Sequence, residues 1–162
     1  MNAQALIGIG SIGIGLLSAA VFQFYLEANV FIGPVSTASA HVMSFFLRWI
    51  GVDAHASGNI VTSPEFSVAV QGGCTPIPPL LLYSGAVLGS PAKRLAKMKG
   101  LLLGIACLTA ANLVRLISLF LIGAHSQHAL ALWHVIVWPS LLVLGTLALW
   151  VYWLDRNAEA QR

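Results

Sequence analysis

Charged side chains are scarce in this sequence. Of its 162 residues only 8% are Asp, Glu, Lys or Arg, and 58% are hydrophobic, whereas a soluble domain carries about 25% charged residues. Together with a mean hydropathy of +0.86, this excludes a soluble protein and predicts a single membrane domain over residues 1–162. No basic stripe with interleaved aromatics accompanies the net charge of +3, so nucleic acid is excluded as a partner and membrane lipid is the expected environment.

Cysteine is also scarce, because the chain has only Cys74 and Cys107. Two cysteines cannot form a disulfide framework, and no Cys-x-x-Cys motif occurs. Cys107 lies in the middle of a predicted membrane helix, so we expect no bond between the two. The histidines and cysteines lack the spacing of metal ligands, and the sequence predicts neither a metal nor another cofactor.

Long apolar runs predict an all-α integral membrane protein with about four transmembrane helices. About 20 apolar residues are needed to cross roughly 30 Å of hydrocarbon. The predicted spans are residues 4–25, 76–90, 101–122 and 130–154. A cleavable signal peptide is the alternative interpretation of the first run, although no Lys or Arg precedes it.

Basic residues orient these spans in a multi-pass protein of the cell membrane. With four spans, six of the eight basic residues fall on one side: Lys93, Arg94, Lys97, Lys99, Arg156 and Arg162. Cytoplasmic loops carry the excess of Lys and Arg, so we expect the basic loop 91–100 and both termini to be cytoplasmic. The segment 27–73 and the loop 123–129 then lie on the extracytoplasmic side.

Two local structures are predicted in the extracytoplasmic segment 27–73. Residues 38–52 form a predicted amphipathic helix that suits a position on the bilayer surface. Its apolar side is Val42, Phe45, Phe46, Trp49 and Ile50. Two runs rich in β-branched residues, 59–62 and 66–70, flank a proline turn and predict a short β-hairpin that leads to Cys74.

The stretch 71–79, Gln-Gly-Gly-Cys-Thr-Pro-Ile-Pro-Pro, is the least regular part of the chain. Glycines before Cys74 and prolines after it favour an irregular backbone at the start of a membrane helix. By the helical rise, Arg115 lies roughly 12 Å and His134 roughly 6 Å below the outer ends of their spans. All three residues belong to the outer half of the bilayer, and we expect them to meet.

These side chains together favour acyl transfer at a peptide bond. A cysteine attacks as the thiolate, and the imidazole of His134 can take the thiol proton and later return it to a leaving amine. The guanidinium of Arg115 offers fixed donors to a developing oxyanion. An intramembrane arginine costs at least about 2.5–3.5 kcal/mol on insertion scales, so it normally faces a partner or a cavity. Asn112, one helical turn earlier, is a candidate supporting hydrogen-bond donor.

Other interpretations remain open at this stage. Arg115 could bind backbone carbonyls, and His134 could be an interfacial residue beside Trp133. Four further histidines lie in exposed segments and have no predicted chemical role: His41, His55, His125 and His128. For the whole protein, the alternatives are a membrane thiol oxidoreductase and a non-enzymatic assembly or transport subunit. Against the first, Cys74 has no cysteine partner nearby in the sequence.

The chain resembles the exosortase and archaeosortase family of membrane cysteine transpeptidases. That family carries a Cys followed by Ser or Thr, an Asn-x-x-Arg motif on a later helix, and a His on the next helix. The matching residues, over roughly 55–150, are Cys74-Thr75, Asn112-Leu113-Val114-Arg115 and His134. Pro76 and Val135 replace the Gly and Asp that many members have, and four spans resemble a short core form.

The resemblance implies a protein-sorting enzyme. Its substrates would be secreted proteins whose C-terminal signal combines a short motif, a transmembrane helix and a basic cluster. Cleavage at the extracytoplasmic face would pass through an acyl-enzyme on Cys74, with His134 as acid and base and Arg115 as oxyanion donor. Thr75 and Asn112 would support these three, and a nucleophile could receive the new carboxyl terminus.

Overall fold

A computed structural model describes residues 32–159, so the predicted first span, 4–25, lies outside the described residues. The described chain is mostly helical. Its helices are α1 (Ile32–Trp49), α2 (Ile77–Gly89), α3 (Arg94–His125), α4 (Gln127–Leu132) and α5 (Trp138–Glu159). Its strands are β1 (His55–Ser57), β2 (Ile60–Thr62) and β3 (Ser67–Ala69). A 3-10 turn covers Gly72–Cys74 and a π-helical turn covers Trp133–Val137.

Two helical stretches are long and apolar enough to cross a membrane. They are Arg94–His125, with a mean hydropathy of 2.1, and Gln127–Asn157, with 2.0. Most of each apolar stretch is not covered by protein, as lipid-facing helices require. α2 is apolar but has only 13 residues, fewer than the roughly 17–25 of a full span. The total of four spans therefore stays a prediction.

Two predicted loops are largely helical in the structure. α3 begins at Arg94, so most of the predicted loop 91–100 forms its first two turns, because Leu, Ala, Lys and Met are good helix formers. α3 also continues to His125, which reduces the predicted loop 123–129 to Ser126. The Ser126 hydroxyl caps α4 by accepting a hydrogen bond from the backbone N–H of Ala129. Hydropathy located the apolar runs, and the helices extend beyond them.

α1 occupies the place of the predicted amphipathic helix but covers 32–49 instead of 38–52. It ends where Val52 N donates to Leu47 O at 2.9 Å and Gly51 N donates to Arg48 O at 3.0 Å. This pair of hydrogen bonds requires a residue with a left-handed backbone conformation after the helix, and Gly51 has a φ of 90°. The glycine thus ends the helix before the predicted boundary.

α1 is apolar on two sides. Ala40, Met43 and Leu47 are buried, whereas Phe45 is 59% and Trp49 79% exposed. A helix that lies on a bilayer needs such an exposed apolar side. The membrane-surface position of α1 stays a prediction.

A three-stranded antiparallel sheet follows α1, in the order β1-β2-β3. β2 and β3, which lie within the segments predicted as a hairpin, pair with Val61 opposite Val68. β1 was not predicted, and it pairs with β2 with Ala56 opposite Val61. The connection is the two-residue loop Gly58-Asn59, in which Gly58 has a φ of 58°, the value that the first position of a type II′ turn needs.

One face of the sheet builds a core with α1 and α3. Val61 and Val70 are fully buried in a cluster with Met43 and Leu47 of α1. Leu116 and Phe120 of α3 complete the cluster, and Phe66 packs edge-on against Phe120 at a ring distance of 5.3 Å. This core belongs to one of two compact units, which contains residues 32–75 and 110–141.

The second unit contains the described residues 76–109 and 142–159. In its core, Tyr83 of α2 packs with Leu108 of α3 and Trp153 of α5. α3 carries Gly104 where a Cβ would overlap the Tyr83 ring, so the small residue permits close approach of the two helices. Close contact through glycine is a common packing mode in membrane proteins.

Candidate active site

The sequence-predicted site residues all lie in the unit that contains the sheet: Cys74, Thr75, Asn112, Arg115 and His134. The Cys74 Sγ atom lies 3.3 Å from the His134 Nε2 atom, although the two residues are 60 positions apart. Both side chains are partly buried. An imidazole at this distance can accept the thiol proton directly.

The 3-10 turn Gly72–Cys74 presents the thiol. Cys74 N donates to Gln71 O at 2.8 Å, and Thr75 N donates to Gly72 O at 3.1 Å. The Thr75 hydroxyl donates to the same Gly72 carbonyl at 2.7 Å, and this side chain is buried. Thr75 therefore closes the turn that carries Cys74, and α2 begins directly after it.

Two polar side chains of α3 hold the same turn. Asn112 Nδ2 donates to the Cys74 carbonyl at 2.9 Å, and Arg115 Nη1 donates to the Gly73 carbonyl at 3.1 Å. Residues three apart share one face of a helix, so both reach neighbouring carbonyls. Asn112 is 2% and Arg115 5% exposed. The backbone-carbonyl contact considered for Arg115 is thus present at one of its nitrogen atoms.

Each of these side chains also has one buried atom without a hydrogen-bond partner among the described residues. These atoms are Nε of Arg115 and Oδ1 of Asn112. An unsatisfied buried polar group costs about 1–3 kcal/mol. Arg115 is therefore held against the turn that carries Cys74, and its buried Nε has no hydrogen-bond partner among the described residues.

His134 lies in the π-helical turn Trp133–Val137, in which Trp138 N donates to Trp133 O, five residues back. Pro139 explains the wider turn, because it has no N–H and its ring would clash with the Val135 carbonyl in a regular α-helix. Such turns occur often at functional sites. The π-helical turn was not predicted from the sequence, in which Pro139 was the available signal.

A cavity of about 600 Å³ opens beside Cys74 and His134, within the size range of ligand pockets. Residues 66–71 contribute one part of its lining. Other parts come from α3, including Leu116 and Phe120, and from α4 and the π-helical turn, including Leu130. The lining is mostly apolar, and this cavity was not predicted from the sequence.

The other histidines lie apart from the Cys74–His134 pair. His41, His55, His125 and His128 are all exposed. His55 Nε2 lies 3.0 Å from an exposed carboxylate oxygen of Asp53, and His125 Nδ1 lies 2.9 Å from Leu121 O. Both cysteines are free thiols, and the described part of the chain has no group of three His, Cys, Asp or Glu placed to hold a metal ion.

A comparison with known protein families gives one match. The sequence model of the transmembrane exosortases matches residues 9–153. No curated protein and no solved structure matches the chain. The matched segment contains Cys74, Asn112, Arg115 and His134, and it confirms the resemblance found at these residues. Because the match covers most of the sequence, this membrane protein belongs to the transmembrane exosortase family.

Proposed function

We propose that this protein is a membrane cysteine protease and transpeptidase. It cleaves the C-terminal sorting signals of secreted proteins at the extracytoplasmic face of the membrane. The 3.3 Å contact between Cys74 Sγ and His134 Nε2 carries the proposal, since this pair is what a cysteine nucleophile and its base require. Membership of the transmembrane exosortase family gives the pair its expected reaction class.

The first half of the reaction forms an acyl-enzyme. His134 Nε2 takes the proton of Cys74 Sγ, and the sulfur attacks the carbonyl carbon of the scissile peptide bond. The carbonyl oxygen becomes an oxyanion as the C–S bond forms. Collapse of this intermediate breaks the C–N bond, and His134 returns the proton to the departing amine. The C-terminal transmembrane helix of the substrate leaves with that amine.

The second half releases the substrate from Cys74. Water or a nucleophile on an acceptor molecule attacks the thioester carbonyl, and His134 takes its proton. The C–S bond then breaks, and the sulfur recovers its proton from His134. Water yields a free carboxyl terminus, whereas an acceptor yields a transpeptidation product.

Arg115 has two roles in this proposal. Its Nη1 holds the turn through the Gly73 carbonyl at 3.1 Å, and its buried Nε, which has no partner in the described chain, donates to the oxyanion. Preformed donors in a water-poor site stabilise such charge strongly. Asn112 and Thr75 support the turn through the contacts described above.

The outward orientation of the site is supported by the charge distribution along α3. Lys97 and Lys99 lie near its first residue, Arg94, whereas Arg115 follows Arg94 by 21 positions. That separation equals roughly 32 Å of helix, and since the predicted span begins only at residue 101, it places Arg115 in the half of the hydrocarbon core farther from the basic end. With the basic end in the cytoplasm, the site faces the other side of the membrane.

Substitution of the nucleophile tests the proposal. Cys74→Ala should abolish processing of a co-expressed secreted protein that carries a C-terminal transmembrane helix and basic cluster. Cys74→Ser should be nearly as inactive, because a hydroxyl ionises far less than a thiol at neutral pH. Processing is followed by the mobility of the substrate on a gel.

The matched control is Cys107→Ala, which removes the other thiol and should process substrate at the wild-type rate. Near-normal processing by Cys74→Ala would remove this residue from the mechanism. In that case a non-enzymatic assembly or transport role would be favoured.

A further inference from the structure

β3 is an edge strand whose free edge is identified by its hydrogen bonds. Ser63 N donates to Phe66 O and Val70 N donates to Asn59 O, each at 2.8 Å. In an antiparallel pair, alternate residues bond to the neighbouring strand. Residues 66, 68 and 70 therefore direct their backbone groups to β2. Ser67 and Ala69 direct their N–H and C=O groups away from the sheet.

These outward groups are unpaired in the part of the chain that the structure describes. No backbone or side-chain donor or acceptor there bonds the backbone of Ser67 or Ala69. The recorded contact of Ser67 is between its hydroxyl and that of Thr62, at 3.0 Å. A row of free N–H and C=O groups is a template for pairing with another extended chain.

The residues of the strand that carries this free edge line the cavity that contains Cys74 and His134. Residues 66–71 all contribute to its lining. β3 ends at Ala69, and the turn that carries Cys74 begins at Gly72. A peptide paired with β3 would therefore lie beside the thiol.

We propose that the free edge of β3 binds the substrate as an added β-strand, which presents the scissile bond to Cys74. This inference rests on the proposed function and names how that site recognises its substrate. The ligand is an extended peptide segment. Its main chain bonds Ser67 and Ala69, as in other cases of strand addition to a sheet edge.

The cavity also defines which side chains the added strand carries. Side chains of a strand alternate between the two faces of a sheet. Those on the same face as Val68 and Val70 enter the cavity, where α3 contributes Leu116, Leu119 and Phe120. The bound segment therefore has an apolar residue at alternate positions and tolerates polar residues between them.

The test uses the full chain with Cys74→Ala in detergent, which binds without cleaving. The probes are short peptides from directly before the C-terminal transmembrane helix of secreted proteins of the same organism. Each peptide is also made with a methyl group on one backbone nitrogen at a time. Affinity should fall at least about fivefold at alternate positions and stay unchanged between them, since one net hydrogen bond of about 1 kcal/mol corresponds to that factor.

Two variants test the same edge from the protein side. Ala69→Pro removes an outward N–H but no bond to β2, and edge strands tolerate such prolines. It should bind the unmodified peptide at least about fivefold more weakly. Ala69→Val keeps the N–H and is the comparison variant, which should bind the unmodified peptide more tightly than Ala69→Pro. Alkylation of Cys74 by N-ethylmaleimide, in chains that retain it, checks that the site is intact.

The outcomes separate this inference from the proposed function. Alternating losses with no cleavage by the Cys74-containing chain support the edge and contradict the enzyme. Cleavage by that chain with no alternating loss of affinity supports the enzyme and contradicts binding at the edge of β3. If every methylated peptide binds normally, or if no such peptide binds at all, the strand-addition proposal is wrong. Should Ala69→Pro fail to fold, the methylated peptides still decide, because they leave the protein unchanged.

Discussion

At the scale of single residues, the Cys74 thiol is positioned through hydrogen bonds to the backbone of the turn that carries it. Asn112 and Arg115 bind the carbonyls of Cys74 and Gly73, and the Thr75 hydroxyl closes the turn below them. Hydrogen bonds from a charged donor contribute about 1.5–3 kcal/mol, and neutral ones about 0.5–1.5 kcal/mol. The Asn-x-x-Arg motif is therefore a clamp on the turn that carries Cys74, and the buried Nε of its arginine has no hydrogen-bond partner among the described residues.

Replacing Arg115 by lysine separates these roles from a simple need for positive charge. Lysine keeps the charge but loses the planar fork of donors. Loss of one oxyanion donor costs about 2.7–4 kcal/mol, or about 100- to 1000-fold in rate. We expect Arg115→Lys to melt like the wild type in detergent but to process substrate at least about 100-fold more slowly. Turnover and thermal stability are measured on one preparation.

Asn112→Ala is the matched control for the clamp. It removes the bond to the Cys74 carbonyl but no donor to the oxyanion, so the loss should be at most about tenfold. An Arg115→Lys variant that is stable and fully active would show that the arginine is not the oxyanion donor. Unfolding of that variant would instead assign Arg115 a structural role.

At the scale of elements, the position of His134 depends on the π-helical turn Trp133–Val137. The turn contains one residue more than an α-helix would, and Pro139 prevents the regular pattern. One residue corresponds to a rotation of about 100° around a helix. The same sequence without the wider turn would direct His134 away from Cys74.

We therefore expect Pro139→Ala to keep the helix but to impair the reaction. The new N–H allows a regular α-helix, His134 rotates away, and the contribution of a general base, about 100- to 10,000-fold, is lost. Processing should fall at least about 100-fold with unchanged circular dichroism. Ser140→Ala is the control, since it removes only the hydroxyl bond to Ile136 O. Full activity of Pro139→Ala would show that the π-helical turn does not position the base.

Some features of these helices, strands and turns can be predicted from the sequence, and others cannot. Cys74, Asn112, Arg115 and His134 could be selected as candidate site residues because polar and reactive side chains stand out among apolar residues, and hydropathy gives their approximate depth. The ends of α3 were not found, because hydropathy marks the hydrocarbon boundary whereas propensity continues the helix. β1 and the π-helical turn had local signals, at Gly58-Asn59 and at Pro139, that were overlooked.

The tertiary contacts had no local signal at all. Two of these contacts depend on how the sheet packs on α3. They are the hydrogen bond from Arg115 to Gly73 O and the lining of the cavity by residues 66–71. Sequence spacing places residues at a depth and on a helix face. It does not specify which main-chain carbonyl a buried side chain reaches.

At the scale of the whole molecule, the proposed reaction requires one orientation in the membrane. Basic residues at the start of α3 and near the end of α5 predict a cytoplasmic side. We then expect the Cys74–His134 pair to face outward. Cys107, in the predicted interior of a span, provides an internal comparison for accessibility to reagents in water.

The proposed function requires that Cys74 and His134 form a reactive pair that is open to the extracytoplasmic side. Alkylation of intact cells by a membrane-impermeant maleimide tests it most directly, with labelling rates compared between the wild type, His134→Ala and the matched control His128→Ala. We predict that Cys74 is labelled and Cys107 is not, that His134→Ala slows labelling of Cys74, and that His128→Ala leaves the rate unchanged. Labelling of Cys74 only after permeabilisation would contradict the outward orientation, and equal labelling rates in all three proteins would contradict a reactive Cys74–His134 pair.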